Sequence, residues 1–300
     1  MRVAAIEQGV LTQLKALHDE SWRAHISVKY RHGLDILIGG IEHPVFVSTA
    51  TKGLFPSHMV VSSSVLELLL EKPLETTLNF TYGRLQARQP ASTLVLINRP
   101  FDLHLNLRLP QALDPVWVNG RVAQYRRLLS FIAFSGGLEP LECLFSSSWG
   151  HRGAFDVDSQ VATAMQSLLG CGAGSTPAGD DMLVGAASVC TAFSSVSGKV
   201  GERARTWLDA LTQNQSLFEK RTTLMSCGYL NAALDGVFGS HLIGLHKAFF
   251  GVSRVSLLQA MVRVKKHGST SGVDALAGVY LGFHTSSGAW LILAESTASP

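Results

Sequence analysis

The sequence predicts an α+β protein. A β-rich N-terminal part, an antiparallel sheet or small barrel, precedes a mostly α-helical C-terminal part. Three observations predict this. Short β-rich segments with turn residues between them occupy roughly the first 110 residues. After about residue 115, apolar residues recur at helical spacing. No helix follows strand after strand at the spacing of βαβ units, which argues against a doubly wound sheet. A chain of 300 residues suffices for two ordinary domains. The change of period places the expected boundary: 1–115 as a β-rich domain with an N-terminal helix, and 116–300 as a helical domain.

The elements follow in chain order. Val3, Ile6, Val10, Leu14 and Leu17 have helical spacing with Glu7 among them, so the N-terminus reads as a helix and not as a signal peptide. HISVKY, LDILIGG, HPVFVSTA, LNFTYGRLQ, STLVLINR and FDLHLNLRLP read as strands. The clearest is the last, where Leu103, Leu105, Leu107 and Leu109 alternate with Asp102, His104, Asn106 and Arg108. SSVLELLLEK, from Ser63 to Lys72, reads as a short helix. In the second half, RVAQYRRLLSFIAF puts Val122, Tyr125, Leu128, Leu129 and Ile132 on one face. DSQVATAMQSLLG opens on the capping pair Asp158 and Ser159 and stops at Gly170. ERARTWLDALTQ, QSLFEKRTTLMSCGYLNAALDG, SHLIGLHKAFF and SRVSLLQAMVRVKKHG are further helices, the last ending on Lys265, Lys266, His267 and Gly268.

Composition narrows the function. Apolar residues make up 46% of the chain and charged ones 16%, which implies much buried area and fits either a surface that faces protein partners or simply a large core. The net charge of +3 comes with no long basic run, so nucleic acid is not an expected partner. The longest apolar-rich run, Met182 to Phe193, is too short to cross a bilayer, and no membrane association is expected. Cys143, Cys171, Cys190 and Cys227 form no CxxC pair, which fits a reducing cytoplasm. Cys171 reads as a small buried side chain. No HExxH and no zinc-spaced Cys/His cluster occurs.

One pattern is written twice. GSTPAGDDMLVGA runs from Gly174 to Ala186, and GSTSGVDALAGV from Gly268 to Val279. With one residue removed from the first, Gly179 falls on Gly272, Asp181 on Asp274, Leu183 on Leu276 and Gly185 on Gly278. Each copy follows a helix and opens another. Glycines let a loop point successive N–H groups inward, a helix start adds a partial positive charge, and hydroxyls add donors: together a place for an anion. Asp180 and Asp181 stand where a nucleotide-binding P-loop has lysine and serine or threonine, which makes that a poor reading. Either the aspartates are themselves the anions at the helix starts, or a cation joins them to a ligand. Gly185 and Gly278, one turn after Asp181 and Asp274, are expected to let the two helices pack closely and bring both loops into one pocket. Ordinary helix capping also uses Gly-Ser-Thr and Asp, but does not require the glycine a turn later twice. A third segment, KRTTLMS, offers Arg221, Thr222, Thr223 and Ser226, with Thr222 and Ser226 expected on one helix face. No GxSxG elbow occurs. His267, beside the second loop, reads as a helix C-cap.

These motifs together resemble a family once catalogued as a domain of unknown function, which includes the AllH subunit of oxamate carbamoyltransferase from allantoin catabolism. GAGSTPAGDDMLVG, Gly172 to Gly185, is similar to the family's GPGLTPSGDDxLxG; HGSTSGVDALAG, His267 to Gly278, is similar to GHTSGADTLxG. The family's TTxxS segment and tyrosine-leucine pair resemble Thr222, Thr223, Ser226, Tyr229 and Leu230. The likeness runs from about residue 165 to 283. Ala173, Ser175, Ala178 and Ser269 depart from the family pattern. The resemblance implies carbamoyl transfer, in which phosphate and oxalurate give carbamoyl phosphate and oxamate, and it implies partner subunits.

On this reading Gly174, Ser175, Thr176, Gly179, Asp180, Gly268, Ser269, Thr270, Ser271 and Gly272 bind a small anionic substrate, with Arg221, Thr222, Thr223 and Ser226 assisting. Asp181 and Asp274 are the expected catalytic pair. They orient substrate by bonding an amide NH₂, or, with Asp180, through a magnesium ion. No other cofactor is expected. The alternative is a non-catalytic subunit that binds a small anion or serves assembly.

Overall fold

The computed structural model describes residues 2–17, 21–82, 93–96, 100–107, 109–133 and 165–287. Cys143, Asp158 and Ser159 lie outside the described residues. The chain divides into two compact units, Met1–His104 and Leu105–Pro300.

The first unit is a curled, mixed sheet. Its strands are β1 (Arg2–Glu7), β2 (Ser21–Tyr30), β3 (Gly33–Ile38), β4 (Val45–Ser48), β5 (His58–Val61), β6 (Thr77–Tyr82), β7 (Thr93–Leu96) and β8 (Pro100–Phe101). They lie in the order β5-β4-β3-β2-β6-β7-β1-β8, and β1 also pairs with β5. That pairing curls the sheet back on itself, as in a small barrel. The pairs β4/β5, β6/β7, β1/β7 and β1/β8 are parallel and the other four antiparallel. Inside the curl, α1 (Gln8–Ala16) contributes Val10, Leu11 and Leu14, and α2 (Ser63–Glu71) contributes Leu66 and Leu69. These join Val3, Ile6, Ile26, Leu34, Ile36, Val45, Met59 and Phe80 in one core.

The N-terminal helix expected from residue 3 onward is corrected: it begins at Gln8, after a strand. The cause is a register shift between Val3 and Ala5 in the β1/β5 pairing. Such an irregularity lets residues three apart face the same side of a sheet. Val3 and Ile6 are both fully buried, so a strand imitates helical spacing. Glu7 marks the true start, accepting from Gly9 N at 2.8 Å and Val10 N at 3.1 Å.

The strand expected at Leu103–Leu109 is also corrected. Pro100–Phe101 pairs with β1, but residues 105–107 and 109 form no strand. Leu105 instead donates its N–H to the Gly236 carbonyl at 2.9 Å, and Leu105, Leu107 and Leu109 pack into the helical core. Alternation here reflects a chain laid against helices, not a sheet.

On the sheet face turned from the core, Asp35 and His58 are 2% and 0% exposed. Phe55 N–H donates to His58 Nδ1 at 3.4 Å. The proton is therefore on Nε2, which donates to Ser48 Oγ at 2.9 Å, while Ser48 donates to the Thr49 carbonyl at 3.0 Å. A histidine that donates to a serine cannot take its proton, so this pair is not an activated nucleophile. Asp35 Oδ2 accepts from Tyr30 Oη at 2.6 Å, and its Oδ1 has no partner among the described residues. Burial pushes the Asp35 carboxyl up to about 6, against the pull of the Tyr30 bond.

The second unit is helical: α3 (Pro115–Ala133), α4 (Ala178–Phe193), α5 (Lys199–Gln213), α6 (Phe218–Arg221), α7 (Leu224–Leu234), α8 (Ser240–Phe249), α9 (Leu257–Lys265) and α10 (Ser271–Ser287). Residues 165–168 are helical and precede the first motif. The central pair is α4 and α10, with α3, α5 and α9 packed on α10 and α5, α7 and α8 packed on α4. These two helices carry no Lys, Arg or Glu; their only acids are Asp180, Asp181 and Asp274, all in first turns. Helices buried on nearly every face account for the low charge of the sequence. Tyr125 of α3, fully buried, donates to the Leu276 carbonyl at 2.9 Å and stacks on Tyr280.

The glycines fix the α4/α10 contact. A Cβ on Gly185 would lie 2.2 Å from the Ala275 carbonyl, and one on Gly278 2.0 Å from that of Met182. A Cβ on Gly282 would come within 2.8 Å of the Ala186 carbonyl. The helices thus touch backbone to backbone. The contact is reciprocal, because Met182 and Ala275 occupy matching places in the two copies.

The single helix expected over residues 215–236 is broken. A 3₁₀ turn (Gln215–Leu217) and α6 end at Thr222, which is extended at φ −132°, ψ −175°; Thr223 then caps α7, its hydroxyl accepting from Ser226 N at 3.1 Å. Thr222 and Ser226 therefore do not share a helix face.

Two predictions follow from these contacts. Asp35 titrates near 4 when unfolded and near 6 when folded, so its burial opposes folding increasingly as pH rises from about 4 to about 6. Asp35→Asn should flatten stability against pH in that window, removing a slope worth roughly 2–3 kcal/mol across it, as read by urea unfolding at each pH. Gly185→Ala or Gly278→Ala should lose about 2–4 kcal/mol by overpacking. Gly244→Ala is the control: nothing lies within 4 Å of its Cβ position, and it should gain about 0.5–1 kcal/mol.

Candidate functional site

The two copies of the motif are two copies of one helix–loop–helix turn. Each preceding helix ends in the same way, with Cys171 N donating to the Leu168 carbonyl at 2.8 Å and His267 N to that of Val264 at 2.9 Å. Each following helix begins in the same way, with Gly179 N donating to the Cys171 carbonyl at 2.8 Å and Gly272 N to that of His267 at 2.9 Å. A Cβ on Gly179 would lie 1.9 Å from the Leu168 carbonyl, and one on Gly272 2.0 Å from that of Val264. These two glycines are required because the incoming helix crosses directly over the outgoing one.

The α4/α10 contact then brings the two loops together. Thr176 Oγ1 lies 3.0 Å from Ser271 Oγ, and both hydroxyls stand near enough to the Asp181 carboxyl to favour its ionised form. Asp274 N–H donates to the Thr270 carbonyl at 3.1 Å, and the Thr270 hydroxyl stands near the Asp274 carboxyl. Burial is the main reason the Asp181 carboxyl is pushed up to about 8; Ser271 and Thr176 pull it down, and Asp274 and Asp180 repel it. Burial likewise raises Asp274, against the Thr270 bond. The Oδ2 atoms of Asp181 and Asp274 have no partner among the described residues. Above these half-buried groups, Gly174, Ser175, Gly268, Ser269 and Thr270 are exposed.

The third motif joins the first. Thr222 Oγ1 donates to Asp180 Oδ2, and Gly170 N donates to Asp180 Oδ1 at 2.8 Å. Thr223 Oγ1 donates to the Ser175 carbonyl at 2.5 Å. Arg221 Nη1 donates to the Gln166 carbonyl at 2.7 Å, which ties it to the helix before the first loop. Ser226 is 1% exposed and its hydroxyl has no partner among the described residues.

The structure thus places the predicted residues in two sets. Asp181, Asp274, Thr176, Thr270 and Ser271 meet at the α4 and α10 starts. Asp180, Arg221, Thr222 and Thr223 bind one another or the main chain. The three aspartates do not form one cluster, because both oxygens of Asp180 already accept. Among the described residues no group of three or more His, Cys, Asp or Glu side chains could hold a metal ion. A magnesium ion would have only Asp181 and Asp274 as carboxylate ligands. Cys171, read as buried, is exposed at the head of the first loop.

His267 is more than a helix cap. Its ring stacks on His241 at 4.5 Å and 26°. Burial lowers His267 to about 4 and His241 well below its ordinary value, so both are neutral at physiological pH. Nothing in the sequence marked His241, since it lies outside all three motifs. Ser188, a turn after Gly185, donates to the Gly185 carbonyl at 2.6 Å and bonds the buried His246 Nε2 at 2.8 Å. That chain supports the helix at its closest crossing, and it too left no local pattern.

In chemical terms, the groups left open at the meeting point are acceptors. The first-turn N–H groups of Gly179, Asp180 and Asp181 already donate to main-chain carbonyls, as do those of Gly272, Val273 and Asp274. The hydroxyls of Thr176 and Ser271 are engaged with each other, beside Asp181.

No helix among the described residues is long and apolar enough to cross a membrane. No curated protein and no solved structure matches the chain. The model of the family described as oxamate carbamoyltransferase subunit AllH matches residues 168–283, the stretch that begins just before the first loop and ends in α10. It contains all three motifs and both aspartates of the meeting point. Residues 168–283 therefore match the AllH family, the one that the three motifs resemble.

Proposed function

We propose that this chain is a subunit of a carbamoyltransferase-like enzyme of purine or allantoin catabolism, acting with partner subunits. Its helical unit binds a small substrate that has a carbamoyl or amide group at one end and an anionic group at the other. One observation carries this reading: two neighbouring half-buried carboxyl groups each keep a buried Oδ2 atom with no partner among the described residues. A planar –NH₂ has two N–H donors, which suit two such acceptors. The anionic end would lie toward Ser175, Gly174, Gly268, Ser269 and Thr270, which are exposed. In oxamate, and in carbamoyl phosphate, an amide and an anion are a few bonds apart. The family description, a carbamoyltransferase subunit, agrees with that class and with the need for partners.

A second reading has its own observation. Six first-turn N–H groups, of Gly179, Asp180, Asp181, Gly272, Val273 and Asp274, already donate to main-chain carbonyls, and the Thr176 and Ser271 hydroxyls are engaged with each other. On that reading the motifs hold α4 to α10, and the chain is a non-catalytic assembly subunit.

Thermal shift separates the two. Oxamate, carbamoyl phosphate and phosphate are added with and without magnesium; a ligand at 100 times its Kd stabilises by about 2.7 kcal/mol. The first reading expects a shift with oxamate or carbamoyl phosphate. It expects Asp274→Asn to weaken that binding by about ten- to a hundredfold, the worth of a charge-assisted hydrogen bond, with the ligand-free Tm nearly unchanged. Absence of any shift in folded wild-type protein would overturn it, as would a variant that melts early yet binds normally.

A further inference from the structure

We propose that Asp180 and Thr222 are positioning residues: their contact buckles the third motif to the first loop and so sets where Thr176 meets Ser271. An asymmetry between the two copies leads to this. Seven residues separate Cys171 from Gly179, but four separate His267 from Gly272. The helix end before each loop and the helix start after it make matching bonds, so the first loop must accommodate three extra residues between the same two anchors. Those residues need restraints that the shorter loop does without.

The restraints are present at the long loop. Asp180 is the residue whose counterpart in the second copy is Val273, so the acid occurs where the loop is long. It is 1% exposed, and its two oxygens accept from Gly170 N before the loop and from Thr222 Oγ1 of the third segment. Thr223 holds the middle of the loop through the Ser175 carbonyl, while its oxygen also caps α7. Gly170, at φ 73°, closes the arrangement from the far side; a Cβ there would lie 1.9 Å from the Arg221 carbonyl. The break in the helix at Thr222 is what turns both threonines toward the first motif. Each hydroxyl of the pair is thereby engaged by the protein itself, and the long loop is tied down at its start, its middle and its end.

Hydrogen–deuterium exchange on the whole chain tests this. Thr222→Val keeps the shape and removes the hydroxyl, leaving a buried carboxylate oxygen without its donor. Peptides covering residues 170–177 should exchange about tenfold faster or more, while those of α8 and α10 stay at wild-type rates, and Thr222→Ser should restore protection. An unchanged loop, or a uniform rise across the helical unit, would overturn the proposal. If Thr222→Val does not fold, Asp180→Asn serves in its place under the same comparison. A second arm rests on the proposed function: oxamate binding should weaken about tenfold in Thr222→Val and recover in Thr222→Ser. If wild-type protein does not bind oxamate, the site reading fails, and the exchange arm still decides the buckle.

Discussion

The closest approach of two backbones, α4 on α10, is the constraint on which the helical unit depends. At Gly185 and Gly278 the partner main chain occupies the space of a Cβ. Helices that touch in this way have no room for side chains at the crossing. They recruit small residues on either side, and the run Ala186, Ala187, Ser188 meets that need. Close approach also aligns the two helix starts. The loops could not share the Thr176–Ser271 contact if the crossing were a side chain wider. Gly179 and Gly272 repeat the same device six residues earlier, against the helices that lead in. Four glycines, in two matching pairs, thus set both the packing and the geometry of the candidate site.

Much of this was legible in the sequence because the constraint is local and written twice. The matching glycines, the aspartates, and the expected packing at Gly185 and Gly278 could be read from spacing alone. What was not legible depends on contacts between distant segments. His241 beside His267 and Ser188 beside His246 carry no local period. The break at Thr222 also escaped, since threonine inside an apolar repeat is compatible with helix; only the partners Asp180 and Ser175 make the extended form preferable. In the sheet, a register shift made β1 look helical, and parallel pairings such as β6/β7 depend on crossovers that strand spacing does not reveal.

The positions of charge follow from the same geometry. α4 and α10 are too buried to carry ions along their length, so their three acids stand in the first turns, where the helix dipole favours negative charge. The three then take different roles. Asp180 receives two donors and joins segments. Asp181 and Asp274, one turn from the crossing glycines, are brought toward each other by the helix pair. Burial and mutual repulsion make Asp181 a weak acid, and hydroxyls from both loops offset part of that cost.

An anion seated at a helix start competes for N–H groups with whatever already uses them. Here the carbonyls of Cys171, Pro177, His267 and Thr270 hold those of the first turns, and the aspartates supply the negative charge that the dipoles attract. A free anion would gain little at the centre of the site and would meet a carboxylate there. A donor, by contrast, would find two acceptors already desolvated, and a group that brings no full charge avoids the Born cost that a bare cation incurs on entering. On the proposed reading, the pattern that first suggests phosphate binding offers, once folded, a place for neutral N–H at its core. That leaves any anionic part of a ligand to the exposed loop residues outside it.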